Sequence, residues 1–545
     1  MLPNIDYSEL PRALQHMLER GRSTPVQALP RRSFLKLTGT LGLAVGIFPH
    51  LAAAQSTDAG ETPTALKPTE QPSAFVQIAP NGEVMVTINR LEFGQGVQTA
   101  LPMILAEELD AGWNLVRSQL GTNDMAYVDP LFGMHLTGGS NTIKNSFTQY
   151  RELGARVRAM LLAAAADRWN VDVSALRTEA GVVLAPDGRK LGYGELSEAA
   201  MALPVPQKIA LKDPKDFRII GQPTQRLDAQ AKSSGQQSFG IDFKLPGQLT
   251  AVVARPPVFG AKIASLDDSA ARSVRGVKAV LRVPLDRGAE GVAVVADGYW
   301  QASQGRDALK VEWDTSAVEK VDSEKQLAQF REIANRPGPR QFDADMAPLE
   351  TAPLSLEAEF VFPYLAHAAM EPLNCTVRLS DDRAEIWMGS QSAGLDAGVA
   401  ANVLGLKPEQ VVVNVQTSGG GFGRRFSSSS DTAMEACQVA KAARAAGLNA
   451  PVRVLWSRED DMRGGYYRPT HLHRARIGFD KEGNVNRVRE VPGEGRHRCR
   501  HDRGDAEPLS ASHAPDSTSS CCQRAGSVVA QRWLHPYGFR DGDLA

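Results

Sequence analysis

Short bursts of alternating apolar and polar residues, set apart by turn residues, dominate the chain and are interrupted by two helical stretches. Residues 75–78 and 84–88 flank Pro80-Asn81-Gly82, a pattern that predicts two strands joined by a turn. Apolar residues recur at helical spacing over 98–109 and again over 148–169, the latter rich in Ala, Leu and Arg. From 219 to 313 short strands alternate with Pro and Gly turns, as in 249–254 and 291–296. Residues 319–353 are polar and contain proline, which predicts a long connection. Strands and helices then alternate from 354 to 491, including a strand that ends at Trp387-Met388 and another over 410–416. No repeat of fixed period is visible, so the pattern predicts an α+β, multidomain fold.

The N-terminus carries a different signature. Arg31-Arg32-Ser33-Phe34-Leu35-Lys36 precedes an apolar run over 37–48 and then Ala52-Ala53-Ala54, the order of an export signal. The run falls short of the roughly 20 residues a membrane span needs, so none is expected after signal removal. The paired arginines resemble a twin-arginine signal, an address read by a receptor, and imply a periplasmic protein that folds around its cofactor before export. Residues 1–54 are therefore read as signal, and the Pro-, Thr- and Ala-rich 55–74 as a disordered linker.

Composition narrows the function classes. The chain has 545 residues, 42% hydrophobic and 23% charged, with a formal net charge of −1. That balance gives no electrostatic reason to expect nucleic acid or a membrane surface as partner. Of five cysteines only Cys375 and Cys437 lie in the body of the chain. An iron–sulfur cluster needs about four thiolates, so both are read as small buried hydrophobes.

Candidate chemistry concentrates in three glycine-rich places. Glu92-Phe93-Gly94-Gln95-Gly96-Val97-Gln98-Thr99 and Thr137-Gly138-Gly139-Ser140-Asn141-Thr142 set glycines beside amides and hydroxyls. Backbone N–H groups in loops of this kind, leading into a helix, suit a phosphate. Trp387-Met388-Gly389-Ser390-Gln391 and Gly419-Gly420-Gly421-Phe422-Gly423-Arg424-Arg425 follow two predicted strands. The second lacks the βαβ start and downstream acid of a dinucleotide fingerprint, which argues against a Rossmann oxidoreductase. His367 with Glu371-Pro372 reads as a structural pair. His471 and His473 have no third ligand at metal-site spacing, so no side-chain metal site is expected.

Together these stretches resemble the molybdenum hydroxylase family of xanthine and aldehyde oxidases, in its isoquinoline 1-oxidoreductase branch, from about 75 to 491. The resemblance includes Gly221-Gln222-Pro223, Arg226-Leu227-Asp228, Lys232-Ser233-Ser234-Gly235 and Ala254-Arg255-Pro256-Pro257, which match a hammerhead-like scaffold domain. It implies two molybdenum-cofactor-binding portions, 75–210 and 316–491, flanking an α/β hammerhead-like domain at 211–315. Their order is permuted relative to the xanthine oxidases, as near-surface termini permit. It further implies that Gln95, Gly96, Thr137, Ser140 and Thr142 hold the pterin and its phosphates. Gln391 would hydrogen-bond an oxygen on molybdenum, Gly421, Phe422 and Gly423 would line the centre, and Arg424 would help to hold the cofactor. Arg468 matches a substrate-holding position of purine-oxidising members. Phe426 stands where those members carry a glutamate, which favours an aldehyde or aromatic N-heterocycle. The implied cofactor is molybdopterin in its cytosine dinucleotide form with molybdenum. Iron–sulfur clusters would reside in a small two-cluster partner subunit, with a cytochrome c as further acceptor.

After Val491 the pattern breaks. The last Lys is Lys481 and the last Ile is Ile477, while Cys499, Cys521 and Cys522 crowd the remainder. A shifted reading frame is expected over 492–545. The glutamate that serves the family as base, in a Gly-Glu-Pro-like motif, is then missing. Glu494, in Pro492-Gly493-Glu494-Gly495, is not assigned that role, and the chain alone is expected to be an inactive, cofactor-binding fragment.

Overall fold

A computed structural model describes residues 66–336, 347–483 and 485–492, the last stretch as backbone only. The expected signal, most of the expected linker and nearly all of the aberrant tail lie outside the described residues.

The first body forms as its periodicity predicts. Strands Val76–Ile78 and Val84–Ile88 pair antiparallel, with Val76 opposite Val86, and the second pairs parallel with Val116–Leu120. A parallel partner requires a crossover, here the helix Val97–Leu109. That helix lies along Thr142–Trp169, which begins six residues before the predicted start. The opening turn, with Ile143 and Lys144 exposed, buries little apolar surface, so it left no periodic trace. Phe75, Leu101, Leu105, Tyr150, Leu153 and Tyr193 fill the core. Gly154 sits at the helix contact, where a Cβ would lie 2.3 Å from the Leu105 carbonyl oxygen. The Glu107 carboxylate ties down the following chain by accepting from the backbone N–H groups of Arg218, Ile219 and Ile220 at 2.9, 2.7 and 3.1 Å.

A seven-stranded sheet organises the rest. Its order is Val411–Val415, Ala384–Met388, Asn374–Leu379, Val452–Leu455, Leu249–Ala254, Glu290–Ala296 and Val277–Pro284. Val452–Leu455 pairs parallel with Leu249–Ala254, so the portions expected as separate domains at 211–315 and 316–491 share one sheet. Strand partners some two hundred residues apart leave no signal in local periodicity, whereas the burial of both faces does. Helices Ala393–Leu404 and Asp431–Ala445 cover one face through Ala397, Ala400, Ala433, Ala436 and Ala440. Cys375 and Cys437 are fully buried in this core, and burial pushes the Cys437 thiol up to about 12.

The expected long connection at 319–353 contains a helix, Ser323–Ala334, and a short one, Ala347–Glu350. Asp322 caps the first by accepting from the N–H groups of Glu324 and Lys325. Leu327, Phe330 and Ile333 recur every three residues, a stripe too short to outweigh the polar composition in the sequence. A third sheet joins Leu354–Phe362, His471–Phe479 and Val485–Pro492. No helix among the described residues is long and apolar enough to cross a membrane.

Candidate functional site

The two bodies meet where Thr137 faces Gln391. Thr137 N–H donates to the Gln391 carbonyl at 2.8 Å, and the Gln391 side-chain amide donates back to the Thr137 carbonyl at 2.6 Å. Thr137 Oγ1 accepts from Leu91 N–H at 2.9 Å, and Ser392 Oγ donates to the His135 carbonyl at 2.8 Å. A carbonyl only accepts, so this contact fixes the Gln391 amide nitrogen toward Thr137 and its oxygen away from it. That oxygen is buried and has no hydrogen-bond partner among the described residues. A cavity of about 20 Å³, room for about one water molecule, is lined by Arg90, His135, Thr137, Ser390 and Gln391. Gly389 must lack a side chain, since a Cβ there would lie 1.9 Å from Ser418 Oγ.

Behind Gln391, the Ser390 hydroxyl donates to the buried carboxyl of Asp396. Burial pushes Asp396 up to about 6, against the pull of that hydrogen bond. In the unfolded chain the same group titrates near 4. The folded state therefore binds a proton that the unfolded state releases, and stability falls as pH rises between about 4 and 6. Asp396→Asn should remove this slope, worth on the order of 3 kcal/mol across the window. Urea midpoints measured from pH 4 to 7 check it; parallel pH profiles for the two proteins would refute it.

The 138–142 loop opens the 28-residue helix Thr142–Trp169. Gly139 and Ser140 both have φ near +60°, and Ser140 is exposed. No side chain caps this helix, and its first turn holds no acid. Its leading N–H groups thus attract an anion. A buried ion pair clamps both ends of the loop. Arg90 donates to the Leu136 carbonyl at 2.8 Å and to Asp129 at 2.7 Å, and Asp129 accepts from Asn145 in the first helical turn at 2.9 Å. Thr137 is thereby held against Gln391, with Ser140 and Thr142 following in the same loop.

The Gly-Gln-Gly loop is built differently from the expectation. Its N–H groups are already taken: those of Gly94, Gly96 and Gln98 donate to the fully buried carboxylate of Glu92 at 2.8, 3.2 and 3.0 Å. Gln95 spends both ends of its amide inside the loop, donating to the Leu91 carbonyl at 2.6 Å and accepting from Phe93 N–H at 2.8 Å. A phosphate on Gly96 or Gln95, as the loop composition suggested, would compete with this internal anion.

The 419–423 turn lies alongside. Ser418 N–H donates to the Glu92 carbonyl at 2.9 Å, and Phe93 packs against Gly421. Glu371 holds the turn from below, accepting from Gly419 N–H at 2.7 Å, Arg425 at 2.8 Å, Ile241 N–H at 2.8 Å and Asn374 at 2.9 Å. Arg425 in turn offers its carbonyl to Gln391 N–H at 3.1 Å. Glu371 is thus a structural partner, paired with Arg425 rather than His367. Phe422 has φ +52° and a ring that is 73% exposed, next to Gly423 at φ +98°. Left-handed backbone at a bulky residue costs energy and is characteristic of functional turns.

Three further expected site residues are placed as follows. Arg424 grips Asp431 through two bonds of 3.0 and 2.6 Å and is buried against Trp456 and Tyr466, so its guanidinium is committed to the scaffold. Arg468 donates to the Pro363 carbonyl at 2.7 Å and lies over the Phe362 ring, so part of its guanidinium is engaged by the scaffold. Phe426 is half-buried, its N–H bonded to the Gly423 carbonyl at 3.3 Å, and it directly follows Arg425, whose carbonyl accepts from Gln391 N–H. His367 is pushed down to about 4, first by burial and then by Arg424 and Arg468. No group of three or more His, Cys, Asp or Glu among the described residues could hold a metal. The residues that sequence reasoning missed are Glu92, the Arg90–Asp129 pair and Asp396, which carry no spacing signature.

The donor set fits a phosphate-bearing metal cofactor. A buried, unpartnered carboxamide oxygen lies at the junction, and the loop that supplies its partner Thr137 leads into an uncapped helix start. Comparison with known proteins gives the same picture from another direction. Residues 335–490 and 23–243 each match a molybdopterin cofactor-binding domain family. The beta chain of isoquinoline 1-oxidoreductase from Brevundimonas diminuta is 32% identical over 490 residues, covering 81% of this chain and 61% of the relative. A membrane-bound aldehyde dehydrogenase (pyrroloquinoline-quinone) of Gluconacetobacter polyoxogenes is 29% identical over 437 residues, covering 76% and 54%. A nicotinate dehydrogenase subunit of Pseudomonas putida is 27% identical over 447 residues, covering 80% and 36%. The chain spans less than two thirds of each relative's length.

Proposed function

The chain belongs to the xanthine oxidase family of molybdenum hydroxylases and carries molybdopterin cofactor-binding domains, and from that premise we propose that it is the large subunit of an oxidoreductase that hydroxylates an aldehyde or an aromatic N-heterocycle, with water as oxygen donor. The observation that carries this reading is the Thr137–Gln391 interlock, which leaves one buried acceptor oxygen pointing away from Thr137. When bound, the molybdenum cofactor would supply a redox centre that takes two electrons from the substrate and makes a coordinated water acidic.

The chain's own residues do the holding and orienting. Thr137, Ser140 and Thr142 frame N–H groups at a helix start that can receive phosphate oxygens. Gln391, with its nitrogen fixed, presents only an acceptor and so can hold and orient an O–H proton without removing it. The exposed Phe422 ring offers an apolar face suited to a flat substrate. Glu371 and Glu92 are saturated by hydrogen bonds and do not serve as base, and the glutamate that serves the family as base is expected to be missing from the shifted frame after Val491.

The names of the relatives, isoquinoline, aldehyde and nicotinate dehydrogenases, support the substrate class. The buried, high-pKa Cys375 and Cys437 support assigning the iron–sulfur relay to a small two-cluster partner, with a cytochrome c beyond it. The cytosine dinucleotide form of the pterin and twin-arginine export to the periplasm belong to the same proposal, the latter supported by Arg31-Arg32 ahead of the apolar run. The full chain, produced with its iron–sulfur partner, should be recovered from the periplasm with bound molybdenum, and a version with the reading frame beyond Val491 restored should reduce a dye with isoquinoline or an aldehyde. Arg31→Lys with Arg32→Lys should strand it in the cytoplasm. Metal analysis showing no molybdenum would overturn the function, and periplasmic recovery of the double variant would overturn the export route.

A further inference from the structure

The Val97–Leu109 helix begins without a side-chain cap from the residue before it, Gly96. A carboxylate four residues further upstream nevertheless occupies its start, accepting from Gln98 N–H in the first turn and from Gly96 N–H. Glu92 is fully buried and receives three N–H groups, from Gly94, Gly96 and Gln98. A buried carboxylate is costly unless charge and hydrogen bonds compensate it. Two cations supply the charge: Lys232 lies 3.1 Å and Arg226 3.5 Å from Glu92 Oε1. Asp228 completes the network, 2.5 Å from Lys232 and 2.8 Å from Arg226. Three converging N–H groups with two cations are what a bound phosphate would demand, and here they are spent on a residue of the chain.

The same residue joins separate segments. Its carbonyl accepts from Ser418 N–H at 2.9 Å, and its neighbour Phe93 lies against Gly421 in the exposed turn. Through Lys232 and Arg226 it also fastens residues 226–232, whose Leu227 N–H donates to Thr99 Oγ1 at 2.9 Å. We propose that Glu92 is a built-in anion and a positioning residue: it fills the helix start that a phosphate would otherwise take, and holds the 94–96 loop against the 419–423 turn. Phosphate binding is thereby left to the other, uncapped helix start at Thr142. The part concerning cofactor retention rests on the proposed function; the anion substitution does not.

Inorganic phosphate is the probe. In thermal melts of the full chain, Glu92→Ala should lower the melting temperature. Millimolar phosphate should then restore much of the loss, while chloride at equal ionic strength should not. The variant should bind phosphate about tenfold or more tightly than the wild type, roughly the worth of one hydrogen bond to a charged group. Adding Lys232→Met should abolish the rescue. Glu92→Asp, which keeps the charge, should retain more molybdenum than the neutral, near-isosteric Glu92→Gln, and that comparison carries the test where the alanine variant fails to fold. Equal phosphate response in wild type and Glu92→Ala, or equal molybdenum content in the Asp and Gln variants, would overturn the proposal. A wild-type chain that holds no molybdenum would overturn the cofactor reading and leave the phosphate melts to decide this one.

Discussion

Gln391→Ala is expected to cut turnover per bound molybdenum by about 10²–10³-fold, the usual effect of deleting one preorganised hydrogen-bonding group beside a reacting centre. The size follows from how the group is held. Its nitrogen is fixed on the Thr137 carbonyl at 2.6 Å, and its backbone is bonded both to Thr137 and to Arg425, so the side-chain oxygen is aimed before any ligand arrives. A preorganised acceptor needs no reorientation when charge develops, which is why its loss falls on rate more than on binding. The lost bond to Thr137 adds only about 1 kcal/mol to stability, so the variant should fold. Gln391→Glu should fare worse in stability, because two acceptors would then face each other across the domain junction. Steady-state dye reduction normalised to metal content, in chains with the reading frame beyond Val491 restored, measures the effect. Turnover within a few-fold of wild type would sink the placement of Gln391 at the centre.

Much of this architecture is written locally. The predicted strands at 75–78, 84–88 and 410–416 and the helix at 98–109 are found within a residue or two, because each buries a periodic apolar face. What depends on distant partners was not legible. The sheet that unites 249–296 with 374–455 rests on the pairing of Val452–Leu455 with Leu249–Ala254, which neither strand announces. The same holds within the site. The glycines at 94, 96, 138 and 139 marked two loops, but composition alone could not tell an uncapped helix start from one already filled by Glu92. Arg424 looked available because its partner Asp431 stands seven residues on, across an irregular turn that no helical spacing describes. Gln391 and Thr137 were picked out singly by resemblance; their mutual pair of bonds across 254 positions required the fold.

Glu371→Ala is expected to cost about 3–5 kcal/mol of unfolding free energy, the range for removing one partner of a buried ion pair. Four donors converge on this carboxylate: Gly419 N–H and Arg425 on one oxygen, Ile241 N–H and Asn374 on the other. Deleting it leaves the Arg425 guanidinium, whose side chain is only 2% exposed, without its ion-pair partner. It also leaves two backbone N–H groups unpaired. Glu371→Gln is no remedy, since its amide nitrogen would have to face one of these donor pairs; a smaller loss, about 2 kcal/mol, is expected for it. A Cβ on Gly419 would lie 2.7 Å from the Glu371 Cβ, so the turn is packed closely against this residue's backbone as well. Because Arg425 also receives Gln391 N–H on its carbonyl, the damage should reach the site. A double-mutant cycle with Arg425→Met separates the pair from the rest. If charge pairing dominates, the double variant should lose less than the two singles added together, since neither charge is then left buried alone. Urea denaturation of the full chain gives all four free energies. Additive losses, or a Glu371→Ala cost below about 1 kcal/mol, would show that the turn is held by packing alone and that this carboxylate is incidental to it.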